Sequence, residues 1–109
     1  MENQSVSEGK TIAIIAYLWV IGLIIAIVMN SSKKNPFASF HIRQAIGIIL
    51  LSVIFNIIFY YIYVPILPWI LNLGVFVLWI LGFIAAIQGE EKPVPVVGAQ
   101  FQDWFKNIG

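Results

Sequence analysis

Three stretches of this chain, residues 11–29, 46–64 and 66–87, contain no charged side chain. The first of them, TIAIIAYLWVIGLIIAIVM, extends about 28 Å as a helix at 1.5 Å per residue, close to the ~30 Å of a bilayer's hydrocarbon core. A water-soluble bundle would need charged sequence to cover such runs, yet only 10% of the residues are charged while 61% are hydrophobic. Isoleucine and valine are abundant, but the runs do not alternate apolar with polar residues as barrel strands do. In lipid every backbone polar group must be satisfied within the protein, and non-alternating runs achieve that as helices. The expected fold is an all-α integral membrane protein with three transmembrane helices and a short C-terminal amphipathic interfacial helix.

The expected organisation is a short polar N-terminal segment (1–10), a three-span membrane domain (11–89) and a cytoplasmic tail (90–109). The spans are read as about 11–29, 41–64 and 66–88. A cleaved signal peptide is disfavoured, because Glu2 and Glu8 precede Lys10, the first run exceeds an ordinary signal core, and no small-residue cleavage site follows. Pro65 and Pro68 mark a tight turn between the second and third spans, with Pro68 suited to a helix's first turn. The chain has no cysteine, which removes thiol chemistry and disulfides.

Of the six basic residues, Lys33, Lys34 and Arg43 lie around the first loop and Lys92 and Lys106 in the tail, leaving Lys10 alone at the amino end. By the positive-inside rule the loop and tail are expected in the cytoplasm, with the N-terminus and the Pro65–Pro68 turn outside. Tyr60, Tyr61, Tyr63 and Trp69 then form an outer interfacial belt. Trp19 and Trp79 fall near mid-span and are read as helix packing. In the tail, Phe101, Trp104, Phe105 and Ile108 recur at helical spacing, so residues 99–108 are expected to lie as a helix in the cytoplasmic interface. That face would pack across the protein's own cytoplasmic loop or contact lipid or a partner, and Lys33, Lys34 and Arg43 would contact lipid or a partner at headgroup level.

Span two carries a polar stripe. At 100° per residue His41, Gln44, Ser52, Asn56, Tyr60 and Tyr63 fall on one side, with Asn72 of span three placed to meet its outer end. Such groups most simply face other helices and hydrogen-bond there, each contributing about 1 kcal/mol. In the phrase NPFASFHIRQA, His41 and Gln44 are therefore expected to satisfy the backbone of the loop at 31–39 or neighbouring helices, with Arg43 snorkelling; a pH-sensitive gate at His41 is the alternative. With a single histidine and no carboxylate in any span, no catalytic, cofactor-binding or metal-ligating set is legible, and the chain is read as a non-enzyme. The charges are scattered, which excludes a nucleic-acid surface.

GKTIAIIAYLWVIGLIIA followed by NPFASFHIRQAIGI resembles the small bacterial membrane proteins of unknown function that are grouped with the chloroplast inner-envelope protein-import component. That resemblance implies a bacterial inner-membrane location and places any shared role on Phe40, His41, Arg43, Gln44 and Ala45. Its plastid members have four spans. The expected function is that of a non-catalytic subunit or assembly partner of a membrane complex, one concerned with protein translocation if the resemblance carries that far. The alternative is a homo-oligomeric pore or small transporter built on the polar stripe. Membrane lipid and a second copy or another membrane protein are the expected partners, without a cofactor.

Overall fold

The computed structural model describes residues 2–108, with side chains from residue 6 onward. All of its regular elements are helices: α1 (Glu2–Ala16), α2 (Trp19–Lys33), α3 (Pro36–Tyr61), α4 (Leu67–Gln88) and α5 (Gly98–Trp104). Two of them, α3 and α4, are long and apolar enough to cross a membrane. This corrects the expectation of three spans, because the first apolar run is not one helix. It breaks at Tyr17 and Leu18, and each of the helices on either side has 15 residues, about 22 Å.

The break turns the chain back on itself. Gly9 of α1 lies against the Asn35 side chain and the Ala38 backbone at the start of α3, whereas Tyr17 at the far end of α1 reaches His41 and Gln44. Thus α1 climbs alongside α3. Helix α2 then descends until Asn30 meets Asn35 and Ser39. The two helices form a hairpin whose tip lies about 12 Å beyond Gly9, counted along α1. Trp19 at that tip lines a cavity with Ser52 and Asn72, near the middle of α3 and in the outer part of α4.

Such a turn inside an apolar run is stable only if its backbone groups find partners. The Tyr17 and Leu18 N–H groups donate to the Ile14 and Ile15 carbonyls at 3.1 and 3.0 Å, tightening the last turn of α1. The Tyr17 carbonyl accepts from the Trp79 indole N–H at 2.7 Å. Trp79 is itself held between Phe76 and Phe83, both stacked on it. Gly22 allows the returning helix to start close to the outgoing one, since a Cβ there would overlap the Ile15 carbonyl oxygen. Trp19 takes the left-handed conformation, φ 65°, which costs a bulky residue on the order of 1–2 kcal/mol.

Helix α3 begins at Pro36, earlier than the expected start near residue 41, because Asn35 caps it and proline suits its first turn. The Asn35 side chain accepts the Ala38 N–H at 3.0 Å. The short polar segment expected over 1–10 belongs, from Glu2 onward, to α1. In the tail, the expected helix over 99–108 is the seven-residue α5, followed by a turn.

The core follows from this arrangement. Ile12, Ala13 and Ala16 of α1 and Tyr17 just after it are buried with Phe37, Ala38, Ile42, Ala45 and Ile48 of α3 and Ala86 of α4. All of these lie in the half of the molecule that contains the hairpin. Beyond it α3 and α4 continue as a pair, and Tyr60, Tyr61, Tyr63 and Trp69 at their turn are exposed.

Candidate functional site

At the centre of the half that contains the hairpin, hereafter the inner half, polar side chains from α3 and the α1–α2 turn close a hydrogen-bonded circuit with the tail. The Val94 N–H donates to Gln44 Oε1 at 2.8 Å, and Gln44 Nε2 donates to the Tyr17 hydroxyl at 2.8 Å. That hydroxyl lies 2.7 Å from His41 Nδ1, and His41 Nε2 lies 2.8 Å from the Glu90 carbonyl oxygen. A carbonyl only accepts, so Nε2 carries the imidazole proton. Nδ1 of the neutral ring is then an acceptor, and the Tyr17 O–H donates to it. Every bond in the chain has one direction. The circuit begins and ends on residues 90–94, which it pins over the ends of α3 and α4.

The three side chains are fully buried. Phe37, Phe40 and Tyr17 surround the His41 ring edge-on, with centroids 4.8, 5.1 and 5.5 Å away. Gly82 lets the Tyr17 ring approach α4, since a Cβ there would stand 2.9 Å from the hydroxyl oxygen. Of the expected partners of His41 and Gln44, the neighbouring segment is present as Tyr17, whereas the backbone they bond is that of the tail and not of the loop at 31–39. That loop has its own brace. Asn30 Nδ2 donates to Ser39 Oγ at 2.9 Å, and the Asn35 N–H donates to Asn30 Oδ1 at 2.9 Å.

Sequence reasoning missed Tyr17 and Asn30. The available signal was a lone tyrosine inside a charge-free run, whose hydroxyl needs a partner when buried.

The rest of the expected stripe does not join the circuit. Ser52 lines a cavity of about 350 Å³ with Trp19, Asn72 and Trp79. Asn56 donates to the Ser52 carbonyl at 2.7 Å and reaches Asn72 Oδ1 at 3.4 Å, so the expected approach of Asn72 to the stripe is present. Tyr60 and Tyr63 stand out from the turn, Tyr63 at 88% exposure.

The tail is clamped onto α3. Arg43 Nε and Nη2 donate to the Ile108 and Lys106 carbonyls, both at 2.9 Å, and Gln102 Nε2 donates to the Phe40 carbonyl at 2.8 Å. Phe101 is buried against Gly47, where a Cβ would overlap its ring. The expected single apolar face is therefore divided. Phe101 and Phe105 pack on the bundle, whereas Trp104 at 66% exposure and Ile108 face away from it. Lys33 is exposed, while Lys34, Arg43 and Lys106 line one cavity. Among the described residues no group of three His, Cys, Asp or Glu side chains is placed to hold a metal ion.

Two span-length helices, a helical hairpin folded against them and a clamped tail define a small helical membrane protein. The chain belongs to the magnetosome magnetite crystal formation protein family, matching it over residues 8–101, a region that includes every member of the Tyr17–His41–Gln44 circuit. It is also 32% identical over 105 residues to a UPF0132 membrane protein of Methanocaldococcus jannaschii, an alignment covering 87% of this chain and 69% of that one. No solved structure matches it significantly. These relatives agree with a small membrane-protein family of unknown function; neither carries the grouping with the import component.

Proposed function

We propose that the protein is a non-catalytic membrane scaffold, a small subunit that acts through the surfaces it offers to lipid and to a neighbouring membrane protein. The observation that carries this reading is the closed circuit. The histidine, tyrosine and glutamine that could have done chemistry or lined a path are fully buried and bonded to one another and to the tail. The exposed surface of α3 and α4 is apolar, including Ile54, Ile57, Leu73, Phe76 and Val77. Lipid or another helix satisfies such faces.

The membrane placement we propose follows from the hairpin. Val6 lies beside Gly89 and Gly9 beside Asn35, so the amino end, the α2–α3 link and the end of α4 share one end of the molecule. All six basic residues then fall toward that end, a stronger inside bias than the opposite-sided termini expected from a third span. The N-terminus and the tail are both cytoplasmic, the α1–α2 hairpin is re-entrant, and the turn at 62–66 is outside. For a bacterial member the membrane is the inner one.

The family description names magnetite crystal formation in magnetosomes, and a subunit that helps assemble a membrane complex is our reading of how such a small membrane protein would serve. Cross-linking in native membranes followed by mass spectrometry should recover this chain joined to a membrane protein or a second copy. Recovery as an isolated monomer under conditions that cross-link known complexes would refute the scaffold reading. The exposed amides Asn56 and Asn72 favour one other reading, a homo-oligomeric pore. It requires solute flux in liposomes that changes in Asn56→Leu.

A further inference from the structure

We infer that the cavity between the start of α3 and the tail is a binding site for the headgroup of an anionic phospholipid. The cavity measures about 450 Å³ and is lined by Lys34, Arg43 and Lys106, three cations brought together from the α2–α3 link, α3 and the tail. The Arg43 guanidinium is held by the Lys106 and Ile108 carbonyls. Neutral acceptors fix its plane without cancelling its charge, so it is pre-organised and still cationic. Pro36, the first residue of α3, also lines the site, and the positive end of that helix's dipole adds to the field.

Glu91 is the one carboxylate in the lining, against three cations, and leaves the cavity electropositive. Phe40 and Ile108 supply apolar wall. A free phosphate has no use for that wall, whereas a phosphodiester with a glycerol backbone buries against it. The site also lies beside the helix ends, where headgroups of the proposed cytoplasmic leaflet would be. The inference rests on the membrane placement above but not on the scaffold role: cross-linking can fail while lipid binding succeeds, and the reverse.

The test uses the full chain in a neutral detergent, with thermal unfolding followed as short-chain phosphatidylglycerol, phosphatidylcholine or inorganic phosphate is added. Phosphatidylglycerol should stabilise the protein at concentrations where phosphatidylcholine and phosphate do not. Lys34→Gln with Lys106→Gln should weaken that response roughly thirtyfold, about fivefold for each lysine removed from an anionic surface. Arg43 is left intact because it also holds the tail. Glu91→Gln should act in the opposite direction and strengthen binding, a gain that damage to the fold cannot produce. Equal stabilisation by phosphatidylcholine, an unchanged response in the double variant, or no gain in Glu91→Gln would overturn the inference. Stabilisation by inorganic phosphate equal to that by the lipid would assign the site to the free anion and overturn it likewise.

Discussion

The inner and outer halves of the molecule both contain polar side chains on apolar helices, and they treat them oppositely. In the inner half five helical segments meet, and Tyr17, His41, Gln44 and Asn30 are fully buried with partners on other elements. In the outer half α3 and α4 run on as a pair, with the hairpin reaching them only at its tip, Trp19. There Asn56 and Asn72 are exposed, and their short bonds run to carbonyls of their own helices, Ser52 and Pro68. An asparagine that returns its amide to the preceding turn can face lipid without a neighbour, whereas a glutamine that bridges two elements holds them in place. The fate of a polar group in a membrane helix is thus decided by how many elements surround it and not by its position on a helical wheel.

The contrast yields a graded set of substitutions, each read by thermal unfolding in detergent. Gln44→Leu should cost the most, about 3 kcal/mol, because it leaves the Val94 N–H and the Tyr17 hydroxyl short of partners in a buried site. Tyr17→Phe should cost about 2 kcal/mol, since the ring still packs on Gly82 while His41 Nδ1 and the Gln44 amide lose their shared partner. If both behaved like surface changes, the inner half would not be the polar core described above. Arg43→Lys should cost about 1 kcal/mol and raise hydrogen exchange in residues 101–108, because an ammonium cannot reproduce the two-pronged hold on Lys106 and Ile108. Asn56→Leu should change stability by less than about 0.5 kcal/mol, its contact with Asn72 being long and exposed. A loss as large as that of Gln44→Leu would erase the distinction between the halves.

Much of this was legible in the sequence. The charge-free runs implied membrane helices; α4 arises from the third of them, and α3 from the second together with the polar phrase before it. Asn35 and Pro36 signalled a turn, although their role as cap and first residue moved the helix start back into the phrase. The hairpin was not legible, because a run of apolar residues reads the same whether straight or folded. The turn at Tyr17 and Leu18 contains neither glycine nor proline, and Trp19 adopts a positive φ without a residue type that favours it. What stabilises the turn is distant in sequence: the Trp79 indole on the Tyr17 carbonyl, 62 residues away. Lys10 was the overlooked clue, a cation isolated from the other five in a three-span reading that joins them at one end of the molecule once α1 and α2 fold back. The tail was half legible, since periodicity placed Phe101 and Phe105 on one apolar face but could not show that Gly47 would receive Phe101 and leave Trp104 outside.

The central claim is that the first apolar run turns back instead of crossing, and the absence of native cysteine makes it directly testable. Single cysteines at Ser7, Ser32 and Tyr63, all exposed positions, can be labelled with an impermeant thiol reagent in intact and lysed cells. The hairpin predicts that Ser7→Cys and Ser32→Cys react only after lysis, while Tyr63→Cys reacts from outside. Ser7→Cys reacting together with Tyr63→Cys in intact cells, with Ser32→Cys still protected, would show that the run crosses the membrane and would contradict the hairpin.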